Sequence, residues 1–142
     1  MRKPEVKNHC PCGLNLEYAN CCGRYHAGEA APTAEALMRS RYSAFMMQNE
    51  AYLLSTWHPS TRPASIPFEA GTKWLGLTIK DSTMIDPDHA EVEFVARYRV
   101  GGASAARGHE RSRFVREEGR WLYVDGKIVD GKNMDSSAHT RL

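Results

Sequence analysis

Four cysteines fall within thirteen residues, as Cys10-Pro-Cys12-Gly, a further seven residues and Cys21-Cys22-Gly, and they are all the cysteine in the chain. Two close pairs joined by a short loop can bring four thiolates to one point. Tetrahedral zinc requires this, with each sulfur about 2.3 Å from the metal. Gly13 and Gly23 follow the pairs and free the backbone to turn. Cys21 and Cys22 are adjacent and could bridge only through a strained ring; cross-pairing between the two ends stays open. Cys-x-Cys lacks the Cys-x-x-Cys spacing of redox motifs. A metal site with Cys10, Cys12, Cys21 and Cys22 as ligands is expected. Zinc is the expected ion, and iron is the alternative that accepts the same donors. His9 and His26 could replace a thiolate or donate a hydrogen bond to one.

The rest of the chain must hold this cluster. Residues 1–31 show little apolar period and need a staple to order. Thr33 is a suitable N-cap for a helix over about 34–48, whose apolar stripe is Met38, Tyr42, Phe45 and Met46. Arg39, Ser40 and Ser43 fall mostly off that stripe. A second helix is expected over about 50–57, stopped by Pro59. Residues 59–72 read as a loop with one helical turn near Phe68. Beyond them the period becomes two. Strands are expected at 73–85, 89–100, 108–117 and 120–128, with links short enough for an antiparallel meander. Residues 132–142 read as a polar tail. Helices followed by strands indicate an α+β fold: a curved antiparallel sheet packed on N-terminal helices, preceded by a small four-cysteine metal knuckle. The expected division is 1–31 knuckle, 32–131 α+β domain and 132–142 tail.

The chain has 142 residues, 42% hydrophobic and 25% charged, with a net charge of +2. That charge is too small to argue for nucleic acid or a membrane surface. Its distribution is uneven. Residues 69–93 hold two lysines and six carboxylates, whereas 97–120 hold seven arginines and three glutamates. Pairing between neighbouring strands accounts for this more simply than an anion site does. No apolar run reaches membrane-spanning length, and the first residues are polar, so a cytoplasmic location is expected.

Cys-Pro-Cys-Gly followed by Tyr-x-x-Cys-Cys-Gly (Tyr18 to Gly23) resembles a SEC-C motif, the metal-binding tail of the secretion ATPase SecA. Four further segments resemble the YchJ family. They are Met38-Arg39-Ser40-Arg41-Tyr42-Ser43-Ala44-Phe45, Thr56-Trp57-His58-Pro59-Ser60, Phe94-Val95-Ala96-Arg97-Tyr98 and Glu110-Arg111-Ser112-Arg113-Phe114. The resemblance implies a SEC-C knuckle joined to a nuclear-transport-factor-2-like domain, and it implies no particular reaction. It departs at the knuckle loop, where Leu14-Asn15-Leu16-Glu17 stands in place of a basic Gly-Ser-Gly-Lys-Lys-like stretch.

The resemblance also implies a sheet curled around a cavity. Arg41, Tyr42, Trp57, His58, Arg97, Glu110, Arg113 and Trp121 are the residues expected to line it. Arg41 could clamp an anion, or pair structurally with Glu110 or Asp125. Glu110 shares a strand face with Phe114, which suggests a buried, paired carboxylate. His58 is positioned by its proline, although a half-exposed imidazole at a helix end is the plainer reading. Trp74, Tyr98, Trp121 and Tyr123 form an aromatic stripe of the sort that fills cores. No recognised catalytic set is present, and four thiolates leave a metal no open position for hydrolysis. An adaptor with a protein partner, ribosome- or secretion-associated, is therefore expected over an enzyme. A small-molecule site in the α+β domain is the alternative, a metal-responsive protein a third reading, and nucleic acid is disfavoured.

Overall fold

The structure, a computed structural model of the chain, describes residues 9–129. The expected tail and the first residues lie outside this range. The described chain opens with a 3-10 turn, Tyr18–Asn20, and three helices: α1 (Cys22–His26), α2 (Ala34–Met47) and α3 (Glu50–Ser55). Four strands follow: β1 (Thr72–Asp86), β2 (His89–Val100), β3 (Ala106–Glu117) and β4 (Arg120–Ile128). None of the described helices is long and apolar enough to cross a membrane.

Helix α2 starts where its cap demands, since the Thr33 hydroxyl accepts from the Ala36 N–H at 3.0 Å. It ends at Gln48, which adopts a left-handed φ of 56°. Asn49 then caps α3 through the Tyr52 N–H at 3.2 Å. Helix α3 stops two residues short of the expected Trp57. The chain there turns to pair with β4 instead: Tyr123 N–H donates to Thr56 O and His58 N–H to Tyr123 O, both at 2.8 Å. The loop beyond Pro59 has no helical turn at Phe68; that ring packs edge-on against Phe45. α1 was not expected from sequence, because its five residues are too few to show a period.

The strands form one antiparallel meander in the order β1-β2-β3-β4. Register shifts in β1, at three places, bend it along its length. The turn between β3 and β4 has positive φ at Glu118 and Gly119, the twist a two-residue hairpin link needs. On β2, Val92, Phe94 and Ala96 face inward with Phe114 and Tyr123, against Leu37, Met38 and Tyr42 of α2. The opposite face carries the uneven charge found in the sequence. Arg111 bridges Glu91, Glu93 and Asp81, His109 meets Glu93 at 2.7 Å, and Arg113 grips Asp125 with two bonds of 2.7 Å. Cross-strand pairs of this kind contribute about 0.2–1 kcal/mol each.

Ser40 and Ser43 depart from the expected stripe, for both are fully buried. The cause is a second neighbour. Helix α2 has the sheet on one side and the cysteine knuckle on the other.

Candidate metal centre

Gly13, with φ at 100°, turns the chain after the first cysteine pair. Cys10 N–H donates to Leu16 O at 2.7 Å and closes the loop between the pairs. Gly23 serves differently from expectation. It lies inside α1; a Cβ there would sit 2.7 Å from Tyr18 O and 2.9 Å from the tyrosine ring. Its small size lets Tyr18 close over the cysteine cluster, against which that ring packs.

All four cysteines are free and buried, and their sulfurs lie within 4.8 Å of one another. Cys12 and Cys21 Sγ are 3.6 Å apart. A metal with four bonds of about 2.3 Å sets sulfur–sulfur edges near 3.8 Å, so the cluster has the size such an ion needs. Without a cation the four sulfurs cannot share a charge equally. Hydrogen bonds from Cys12 and Cys22 hold the Cys10 thiol far below its usual range. Cys22 is pushed well up, first by its hydrogen bonds to Cys10 and Cys12 and then by burial. Burial, with Cys12 beside it, pushes Cys21 up to about 12. A dication would stabilise all four as thiolates and release the remaining protons.

Helix α2 contributes directly to this centre. Ser43 Oγ lies 3.7 Å from Cys10 Sγ, and Arg39 Nη1 donates to Cys12 O at 3.0 Å while its Nε holds Glu35 at 3.1 Å. His26 Nε2 sits 2.8 Å from Ser40 O, a group that can only accept. The ring proton is therefore on Nε2, and Nδ1 accepts from the Tyr18 hydroxyl at 2.6 Å. Both nitrogens are occupied, so His26 is a strut between knuckle and domain instead of a ligand. His9 is exposed and pairs through its backbone with Glu17. Sequence reasoning missed Tyr18, Arg39, Ser40 and Ser43. The available signal was a polar Arg-Ser-x-x-Ser run within an otherwise apolar helix.

The residues expected to line a cavity separate into three places. Arg41, Tyr42 and Glu110 are completely buried in the core, where side chains fill the space between α2 and the sheet. Arg41 Nη1 donates to Leu53 O at 2.9 Å and to Thr56 Oγ1 at 2.7 Å, and the guanidinium stacks on Tyr123 and Trp57. Burial lowers it to about 10, with Tyr123, Tyr52 and Glu110 opposing that shift, so it stays charged at neutral pH. Glu110 accepts from Ser112 Oγ at 2.9 Å and from the Tyr123 hydroxyl at 3.5 Å. Asp125, the other partner considered for Arg41, is held by Arg113 on the opposite face. Arg97 and Arg113 do not line the interior, although Arg113 lines, with His58, a separate open pocket of about 400 Å³. Strand alternation sends both to the outer face, where Arg97 lies across Gly76 and reaches Leu75 O.

Trp57, His58 and Trp121 flank the core. Trp57 stands edge-on to Tyr123 with centroids 5.0 Å apart. Trp121 is buried at the start of β4 under the Arg116 guanidinium. His58 Nε2 meets Glu117 at 2.9 Å, and its Nδ1 faces both the hydroxyl and the N–H of Ser60. That is a serine–histidine–carboxylate line invisible in sequence. The Ser60 amide is spent on the same nitrogen as its hydroxyl, so the line closes the 58–61 turn against β3.

Gly126 is where Glu110 finds room, because a Cβ there would overlap the carboxylate. Gly126→Ala is expected to cost about 1–3 kcal/mol by overpacking. A urea unfolding midpoint equal to that of the parent would contradict it.

Residues 33–126 match the family model described as YchJ, middle NTF2-like domain. The chain belongs to the YchJ family. Curated relatives are called UPF0225 proteins. One from Xanthomonas oryzae is 57% identical over 120 residues, spanning 83% of this chain and 93% of that protein. One from Bordetella pertussis is 56% identical over 131 residues, spanning 89% and 98%. Two solved structures are similar to this chain, each described as a SEC-C motif containing protein. The Rhodopseudomonas palustris solution structure superposes with TM-score 0.76 at 33% identity, covering 86% of this chain and 99% of that one. The Psychrobacter arcticus crystal structure gives 0.72 at 29% identity, covering 87% and 84%.

Proposed function

We propose that the four-cysteine knuckle holds one structural zinc ion, and that the ordered knuckle is the docking surface of a cytoplasmic adaptor for a protein partner. The observation that carries this reading is four buried sulfurs of tetrahedral size, fixed to α2 by Ser43, Arg39 and His26. Cys10, Cys12, Cys21 and Cys22 would hold the ion. Four thiolates complete its coordination, so the metal supplies shape instead of Lewis acidity. Iron would fit the same donors, and elemental analysis of protein purified with both ions present separates the two.

The docking surface is the knuckle tip. Leu14 and Leu16 are 39% and 47% exposed there, on a loop with no basic residue. Two apolar side chains on a stapled loop suit an apolar groove on a protein, such as a ribosomal or secretion-associated one, better than they suit RNA phosphate. Leu14→Ser with Leu16→Ser is expected to leave the unfolding midpoint within ~0.5 kcal/mol of the parent, since both residues are exposed. The same pair should remove partners recovered by affinity capture, as should Cys21→Ser with Cys22→Ser. Identical partner lists from parent and variants would sink the adaptor reading.

A further inference from the structure

A cavity of about 500 Å³ lies between the knuckle and the α+β domain. That volume is in the range of small-molecule sites. Tyr25, His26 and residues 28–31 form the knuckle wall; Tyr52 of α3 and Trp121 of β4 stand among the domain residues.

The lining has a definite chemistry. Its aromatic groups are held from behind. Arg24 stacks on Tyr25 and donates to its hydroxyl at 2.9 Å. His26 packs against Tyr52 with its ring tilted by 55° and centroids 4.5 Å apart, and is fixed through both nitrogens. Tyr52 in turn bonds Ser40 Oγ at 2.7 Å. Rings locked in this way lose little entropy when a flat ligand arrives. Trp121 is buried, and its Nε1 has no hydrogen-bond partner among the described residues. Such a donor is costly unless something accepts from it. Among the described residues the lining carries one cation, Arg120. Arg120 spans the joint and donates to Gly28 O at 3.2 Å. Arg24 stands nearby, and Glu29 is the carboxylate among the lining residues, paired with Arg24.

We propose that this cavity binds a planar aromatic anion, with its ring against Tyr52 and Trp121 and its acid group at Arg120. Because the knuckle is one wall, the site exists only while the knuckle is ordered. This dependence, and not the site itself, rests on the metal-held reading above.

The test uses the metal-replete full chain and two fluorescent probes of one shape. 1-Anilinonaphthalene-8-sulfonate carries the acid group; N-phenyl-1-naphthylamine lacks it. The sulfonate is expected to bind saturably at one site and to quench Trp121. Arg120→Gln should weaken the sulfonate about tenfold, as loss of a charged hydrogen bond does, and leave the neutral probe within about twofold. Ala51→Trp places bulk at an exposed lining position and should abolish both, with the unfolding midpoint confirming that the variant is folded. Non-saturable binding, or equal binding to Ala51→Trp, would overturn the proposal. Chelation should remove the saturable site. If saturable binding survives chelation, the cavity stands and the metal dependence falls.

Discussion

Removing the metal is expected to melt residues 9–31 as a unit and to leave the four-stranded sheet folded. The knuckle has almost no structure of its own to fall back on. Its regular elements are a three-residue 3-10 turn and a five-residue helix, far below the length at which a helix stands alone. Its own apolar cluster is the four cysteines and Tyr18, and beyond these Tyr25 and Ala31 pack into the domain core. Four side-chain bonds join the knuckle to the domain, through Arg39, Ser43, His26 and Arg120, and contribute roughly 1 kcal/mol each. Ordering the backbone costs about 1–2 kcal/mol for every residue fixed, so those bonds cannot hold the segment. A structural zinc contributes about 10–16 kcal/mol of apparent binding free energy, which is the right scale. Chelation followed by NMR should collapse the amide dispersion of residues 9–25, while exchange protection persists in β2 and β3. Preserved dispersion in 9–25 after verified metal loss would refute a metal-held knuckle. Cys21→Ser should give the same pattern without chelator.

The domain side should respond in a graded way. Ser40 and Ser43 are fully buried, and the knuckle helps to cover them through His26 at Ser40 O and Cys10 at Ser43 Oγ. Their exposure on metal loss replaces protein contacts with water, which hydroxyls tolerate well. This is why the sheet and α2 survive: the polar face of α2 suits either state, whereas the knuckle suits one.

That face also marks the limit of what the sequence discloses. Strand positions were legible, because alternation and turn residues are local signals. Val92, Phe94 and Ala96 face inward as their period requires. The cysteine cluster was legible for the same reason, since its spacing lies within thirteen residues. The burial of Ser40 and Ser43 was not, because it depends on a segment packed there by tertiary contact. Tyr18 and His26 likewise acquire their roles only when α1 meets α2. The expectation differs in another way for Arg97 and Arg113: neither faces the interior of the sheet, although Arg113 does line a separate pocket with His58. Their alternation with Tyr98 and Phe114 was visible, and it sends them to the charged outer face with Glu91, Glu93 and Asp125. The cavity between knuckle and domain needs Tyr25 and Arg120 brought together from segments nearly a hundred residues apart, and no pattern along the chain records that.

Arg41 should be the most costly single side chain to lose from the domain. It sits where α2, α3 and the sheet converge, bonded to Leu53 O and Thr56 Oγ1 and stacked on Trp57 and Tyr123. Tyr123 links it onward to Glu110 through a 3.5 Å hydrogen bond, and the carboxylate opposes the lowering that burial imposes on Arg41. Arg41→Met keeps most of the volume but removes the cation. Glu110 then remains fully buried without a positive charge, and the expected loss is about 3–5 kcal/mol. Glu110→Gln removes the opposite charge and retains an acceptor for Ser112, so its cost should be smaller. The two effects should not add. With both charges gone, the double variant avoids the stranded ion, and the cycle should return a coupling of about 1–3 kcal/mol. It will not recover fully, because Leu53 O and Thr56 Oγ1 still lack their donor. Urea unfolding of the four proteins at neutral pH, where Arg41 is charged, measures the cycle. Strictly additive losses would show that the two groups act independently and that Arg41 serves only as a clamp on α3.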